Sequence, residues 1–219
     1  MTYRRLISLK LILVILAVSA ASLAGAAEHR VACVGDSITF GAGVANRQQN
    51  AYPKVLGALL GEKYEVRNFG VNGATLLKKG DKPYWKLGAF KAATNFKPTI
   101  VVIKLGTNDT KPGNWKHKGE FAADLTAMVD HFASMEQKPK IYLCKPVPVV
   151  RDRWGINEKT VKGEVIPLVE QVAKAKGLTV IDLYAAMADK PKLIPDGVHP
   201  NAAGAKILAE TVRGVIGGK

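Results

Sequence analysis

Read along its 219 residues, the chain alternates short apolar runs with longer segments whose apolar residues recur every three or four positions. The first run, Val31-Ala32-Cys33-Val34, stops at Gly35 and hands over to Asp36, Ser37, Ile38 and Thr39. It is short and rich in valine, as a buried strand is. Tyr52 to Leu60 reads as a helix, with Pro53 in its first turn and Gly61 past its end. Tyr64 to Val71 is a second strand. Leu76 to Trp85 is polar and basic, hence a loop, and a helix follows from Trp85 to Asn95. Pro98 to Leu105 is a third, mostly buried strand. Phe121, Leu125, Met128, Val129 and Phe132 mark a helix over Glu120–Met135. Lys140 to Cys144 is a fourth strand. Glu158 to Lys176 is a helix interrupted near Gly163 and Pro167, and Leu178 to Leu183 is a fifth strand. Asn201 caps a last helix that runs to Ile216. Strands alternating with helices predict βαβ units, a parallel sheet and right-handed crossovers.

Residues 1–27 depart from this alternation. Arg4, Arg5 and Lys10 flank an apolar stretch from Leu11 to Val18, and small residues follow, including Ala24-Gly25-Ala26. That is the order of a secretory signal peptide and its cleavage site. The apolar stretch is too short to span a bilayer comfortably. The expectation is a secreted or periplasmic protein with no stable membrane insertion, and a single domain over residues 28–219.

Composition adds two constraints. The formal net charge is +14, yet the lysines are scattered and do not alternate with aromatics along one element. This argues against a nucleic-acid surface and leaves a solvated basic face or a polyanionic substrate. Cys33 and Cys144 both fall in predicted strands. In the common strand order 2-1-3-4-5 a third strand separates them, which exceeds the roughly 7 Å Cα separation of a disulfide. Free, buried thiols are expected.

The candidate chemistry sits after the strands: Ser37 after the first, Gly73 after the second, Asn108 after the third, Asp196 and His199 beyond the fifth. In an open α/β sheet these ends converge on one crevice. Acyl transfer needs a nucleophile, a base, a group to orient the base, and donors for the oxyanion. Ser37, His199 and Asp196 supply the first three. The Ser37 and Gly73 N–H groups and the Asn108 amide supply the donors. The alternative is that Asp36 and Ser37 only cap a helix, with Gly73 and Asn108 as turn residues. Among the other histidines, His29 adjoins the cleavage site, His131 lies on a helix, and His117, after the third strand, is the one rival base.

Together these residues resemble the SGNH, or GDSL-type, hydrolase family. Its blocks appear as Gly35-Asp36-Ser37-Ile38-Thr39, Asn68 to Gly73, Gly106-Thr107-Asn108-Asp109, and Asp196-Gly197-Val198-His199-Pro200. The resemblance implies a flavodoxin-like three-layer α/β/α sandwich with a five-stranded parallel sheet, a serine esterase, and no metal or organic cofactor. Within the family the wording is most similar to bacterial sialate O-acetylesterase-like carbohydrate esterases, which implies an acetylated glycan as substrate. A lysophospholipase or thioesterase acting on lipid esters is the alternative, and a non-catalytic glycan-binding module a third reading. Trp85, Trp115 and Trp154 are expected in or beside crevice-facing loops as sugar platforms, or packed under those loops. Lys78, Lys79 and Lys82 would place a basic rim on the crevice.

Overall fold

The computed structural model describes residues 27–217. The expected leader, apart from Ala27, lies outside the described residues. Five parallel strands form one sheet: β1 (His29–Gly35), β2 (Tyr64–Gly70), β3 (Ile100–Lys104), β4 (Lys140–Cys144) and β5 (Thr179–Ile181), in the order β2-β1-β3-β4-β5. This is the 2-1-3-4-5 order, which reverses direction between β1 and β3.

Helices cover both faces because alternate strand residues point to opposite sides. Ala32, Val34, Val101, Ile103, Ile141 and Leu143 face one layer. That layer consists of α3 (Gly88–Asn95), α4 (Phe121–Ala133) and α5 (Ile166–Lys176). Val31, Cys33, Val102, Cys144 and Ile181 face the other, built from α2 (Tyr52–Leu60) and α6 (Ala202–Ile216). The first helix after β1, α1 (Ser37–Phe40), is one turn at the mouth of the sheet. The apolar stripe expected on α4 is buried throughout. The interruption expected near Gly163 is a π-helical turn over Val161–Val165, immediately before Ile166 and Pro167 open α5. Asn201 caps α6 by accepting the Gly204 N–H at 3.0 Å.

Cys33 and Cys144 are free and buried, with β3 between their strands. Burial pushes the Cys33 thiol up to about 12. The 76–85 loop differs from its polar reading. Leu76, Leu77 and Tyr84 are buried at 1%, 0% and 0% exposure, because Asp109 accepts the N–H groups of Leu76 and Leu77 and draws that segment into the core.

Candidate active site

Gly35 lies at the centre of the site. It pairs with Gly70 of β2 on one side and Lys104 of β3 on the other. The three chains leaving those residues carry Ser37, Gly73 and Asn108, so register alone gathers them at one edge. Gly35 is required for space rather than for a left-handed turn. A Cβ there would stand 2.0 Å from Thr39 Oγ1 and 2.7 Å from the Lys104 carbonyl oxygen, and its φ is not among the positive values. Asp36 caps α1 by accepting the Ile38 N–H at 3.0 Å. The capping reading of Asp36 is therefore correct, and it does not exclude a chemical one for Ser37.

Ser37 Oγ lies 2.8 Å from His199 Nε2, and His199 Nδ1 lies 2.7 Å from Asp196 Oδ2. The carboxylate can only accept, so Nδ1 carries the proton and Nε2 accepts from the serine hydroxyl. The turn that holds the histidine closes on itself, since Asp196 Oδ1 accepts the N–H groups of Val198 and His199 at 2.9 and 2.7 Å. Burial pushes the Asp196 carboxyl up. The two backbone N–H groups and the imidazole outweigh that and hold it below its ordinary value. An ionised carboxylate, an oriented imidazole and a hydroxyl in series can transfer an acyl group.

Gly73 adopts φ +77°, a conformation that glycine takes without cost. Among the described residues neither the Ser37 nor the Gly73 N–H meets a protein acceptor. Asn108 is 4% exposed and gives one amide N–H to the Ala74 carbonyl at 3.1 Å. Its side-chain amide has two N–H bonds, and the second has no protein acceptor among the described residues. Three donors thus stand on the chain segments that flank the serine.

Residues 33–207 match the sequence profile of the GDSL-like lipase/acylhydrolase family. The chain belongs to this family. Its relatives include an acetylxylan esterase from Xylanibacter ruminicola, 44% identical over 205 residues that cover 85% of this chain and 43% of that protein. A multidomain esterase from Ruminococcus flavefaciens is 27% identical over half of this chain and 14% of its own length. The chain thus spans less than half the length of these curated relatives. Among solved structures, a carbohydrate acetylesterase family member from Sinorhizobium meliloti superposes with a TM-score of 0.67 at 21% identity, covering 86% of this chain and 97% of that one. A GDSL-like lipase from Bacteroides thetaiotaomicron gives 0.64 at 24%, covering 86% and 88%. At those identities the two structures show the fold.

The three tryptophans part company. Trp115 is 8% exposed, packs edge-on to Phe121 and donates to Glu164 at 3.0 Å. Trp85 packs on Phe90 and donates to the Leu76 carbonyl at 3.0 Å. Both therefore follow the packed alternative. Trp154 is 53% exposed, with its ring centroid 5.5 Å from that of His199. It sits at φ +54°, where a bulky residue loses about 1–2 kcal/mol. The basic rim also changes. Lys78 and Lys79 pair with Asp124 and Glu120 at 3.3 and 2.7 Å, leaving Lys82 beside Gly73. Of the other histidines, His131 meets Thr94 Oγ1 at 2.9 Å and His29 stacks on Tyr64. His117 lies at the start of the turn Lys118–Glu120, and its side chain has no hydrogen-bond partner among the described residues.

Sequence reasoning missed Lys104. It is fully buried, with Nζ at 3.0 Å from both Asp36 carboxylate oxygens and 2.8 Å from Thr107 Oγ1. The signal was a lone lysine inside the apolar run Ile100–Leu105, since a buried charge requires a partner.

Proposed function

We propose that the chain is an exported serine esterase that removes acetyl groups from a glycan, with acetylated xylan as the substrate class. The serine–imidazole–carboxylate series, with its 2.8 and 2.7 Å contacts, carries the esterase reading. The 44% identity to an acetylxylan esterase supports the substrate class. The leader-like pattern of residues 1–27 supports export and cleavage of those residues.

In this mechanism Ser37 Oγ attacks the acetyl carbonyl carbon while His199 Nε2 takes its proton. Asp196 orients the imidazole and stabilises its positive charge. The Ser37 and Gly73 N–H groups and the free Asn108 amide N–H receive the negative charge that develops on the carbonyl oxygen. Collapse breaks the bond to the sugar oxygen, which leaves with the proton held by His199. Water, deprotonated by the same imidazole, then frees acetate from Ser37. The test is acetate release from acetylated xylan by the full chain and by Ser37→Ala. The wild type should release acetate, and the variant should fall by about 10³-fold or more while melting at the same temperature. Undiminished release by the variant would refute the assignment.

A further inference from the structure

Two groups stand apart among the cations of the loops that follow the strands. Lys78, Lys79 and Lys111 are engaged by Asp124, Glu120 and Asp81. Lys82, Arg151 and Arg153 form no ion pair with a carboxylate among the described residues. Each reaches a backbone carbonyl bordering the site instead. Lys82 Nζ donates to Asn72 at 2.9 Å, Arg151 Nη2 to Pro195 at 3.5 Å and Arg153 Nη1 to Asp196 at 3.4 Å.

Acids on the same loop and on the adjoining Asp196–His199 turn are used elsewhere. Asp152 accepts the Glu158 N–H at 3.0 Å, Glu158 accepts from Val149 N–H and the Tyr184 hydroxyl, and Asp196 holds His199.

The arginines are fixed relative to the imidazole. The Val150 and Arg151 N–H groups donate to the Gly197 carbonyl at 2.8 and 3.4 Å. A bridge between Arg153 and Ile156 closes the hairpin. At its tip, the Arg153 guanidinium lies 4.4 Å from the centre of the Trp154 ring. That ring adjoins His199 and is held in a left-handed conformation, the kind of backbone outlier that marks functional sites.

The chemistry says which part of a substrate meets this hairpin. The imidazole returns the serine proton to the departing alcohol, so the alcohol lies on the His199 side. The acyl oxygen lies towards Gly73 and Asn108. Groups gathered around His199 therefore read the sugar. A guanidinium fork matches a carboxylate in shape and charge, and an exposed indole offers a flat apolar face to a sugar ring.

We propose that Arg151 and Arg153, together with the Trp154 ring, form a subsite for a carboxylate borne by the sugar portion. The preferred substrate is then an acetylated glycan with a uronic acid beside the acetylated residue. This rests on the glycan reading above and adds a charge requirement to it.

The experiment measures kcat/KM on two acetylated xylo-oligosaccharides, one neutral and one carrying a uronic acid branch next to the acetylated xylose, with p-nitrophenyl acetate as a third substrate. At low salt the acidic oligosaccharide should be favoured by about tenfold, and the preference should shrink as salt screens it. Arg153→Gln and Arg151→Gln should each lower kcat/KM on the acidic substrate several-fold more than on the neutral one. Arg153→Lys, which keeps the charge, should recover part of the preference. Equal turnover of both oligosaccharides with equal salt response overturns the proposal alone, as does an equal loss on both substrates in the glutamine variants. Cleavage of p-nitrophenyl acetate with no acetate from either oligosaccharide overturns the glycan reading and this proposal with it.

Discussion

Lys104 and Asp36 form an ion pair across the ends of β3 and β1, with Nζ 3.0 Å from each carboxylate oxygen and neither side chain exposed. Through Asp36 the pair touches the residue before Ser37. Through Thr107 Oγ1, 2.8 Å from Nζ, it touches the residue before Asn108. Removing one partner strands a charge in the core, which costs about 3–5 kcal/mol. Lys104→Met should therefore lower the melting temperature by roughly 6–20 °C. The double variant Asp36→Asn/Lys104→Met should recover much of that. A double variant whose loss equals the sum of the two single losses would mean the pair is not coupled.

Asn108→Ala removes a side-chain donor and should lower kcat about 10²–10³-fold with KM little changed. Gly73→Ala keeps the backbone N–H and tests whether a Cβ beside that donor is tolerated. The new Cβ would find only Lys82 Cδ, at 3.6 Å, but φ would stay at +77°. The variant should fold, with a loss of about 1–2 kcal/mol from the left-handed backbone, and should keep most of its kcat. Steady-state kinetics and thermal melts on the same preparations check both. If kcat for Asn108→Ala stays at the wild-type level, that amide takes no part. Gly35→Ala, by contrast, should not yield folded protein, given a Cβ 2.0 Å from Thr39 Oγ1.

Leu76 and Val147, the apolar residues best placed in sequence to line an acyl groove, are buried at 1% exposure each. The remaining loop residues near the crevice, Lys78 to Lys82, Lys111 to Asn114 and Arg151 to Arg153, are mostly charged or small. A long acyl tail would gain little of the roughly 0.8 kcal/mol per methylene available on burial. Activity should fall from acetyl to butyryl to octanoyl p-nitrophenyl esters. Faster hydrolysis of the octanoyl ester than of the acetyl ester would favour a lipid substrate.

Burial pushes the Asp109 carboxyl up to about 7 from an ordinary 3.8, against the opposing pull of the Leu77 and Leu76 N–H groups. A raised carboxyl binds its proton more tightly in the folded state. Its stabilising contribution is complete below pH 3.8 and is lost as pH rises to about 7. Asp109→Asn does not titrate, and it turns an amide donor towards a backbone N–H. The wild type should melt above this variant by the widest margin near the acid end of that window, and the margin should narrow towards neutrality. Melting curves of the two proteins over this range decide it, and a margin that widens with pH contradicts the assignment.

The sheet, the helices and the gathering of Ser37, Gly73, Asn108, Asp196 and His199 at one edge were legible in the sequence. Apolar period is a local property: two for a strand, about 3.6 for a helix. Once strands alternate with helices, the right-handed crossover brings their ends together without further information. The tight turn from Asp196 to His199 was also readable, because its hydrogen bonds span at most three residues.

Tertiary structure alone decided which partner each long polar or aromatic side chain takes. The Lys104–Asp36 pair joins residues 68 apart. Lys78 and Lys79 turn to acids 46 and 41 residues away rather than to the crevice. Of three similarly placed tryptophans, Trp115 and Trp85 found a carboxylate and a backbone carbonyl, while Trp154 was left beside His199. Gly35 owes its place to the Thr39 side chain above it. Such choices depend on which groups meet at about 3 Å once the core has closed, a distance that sequence separation does not encode.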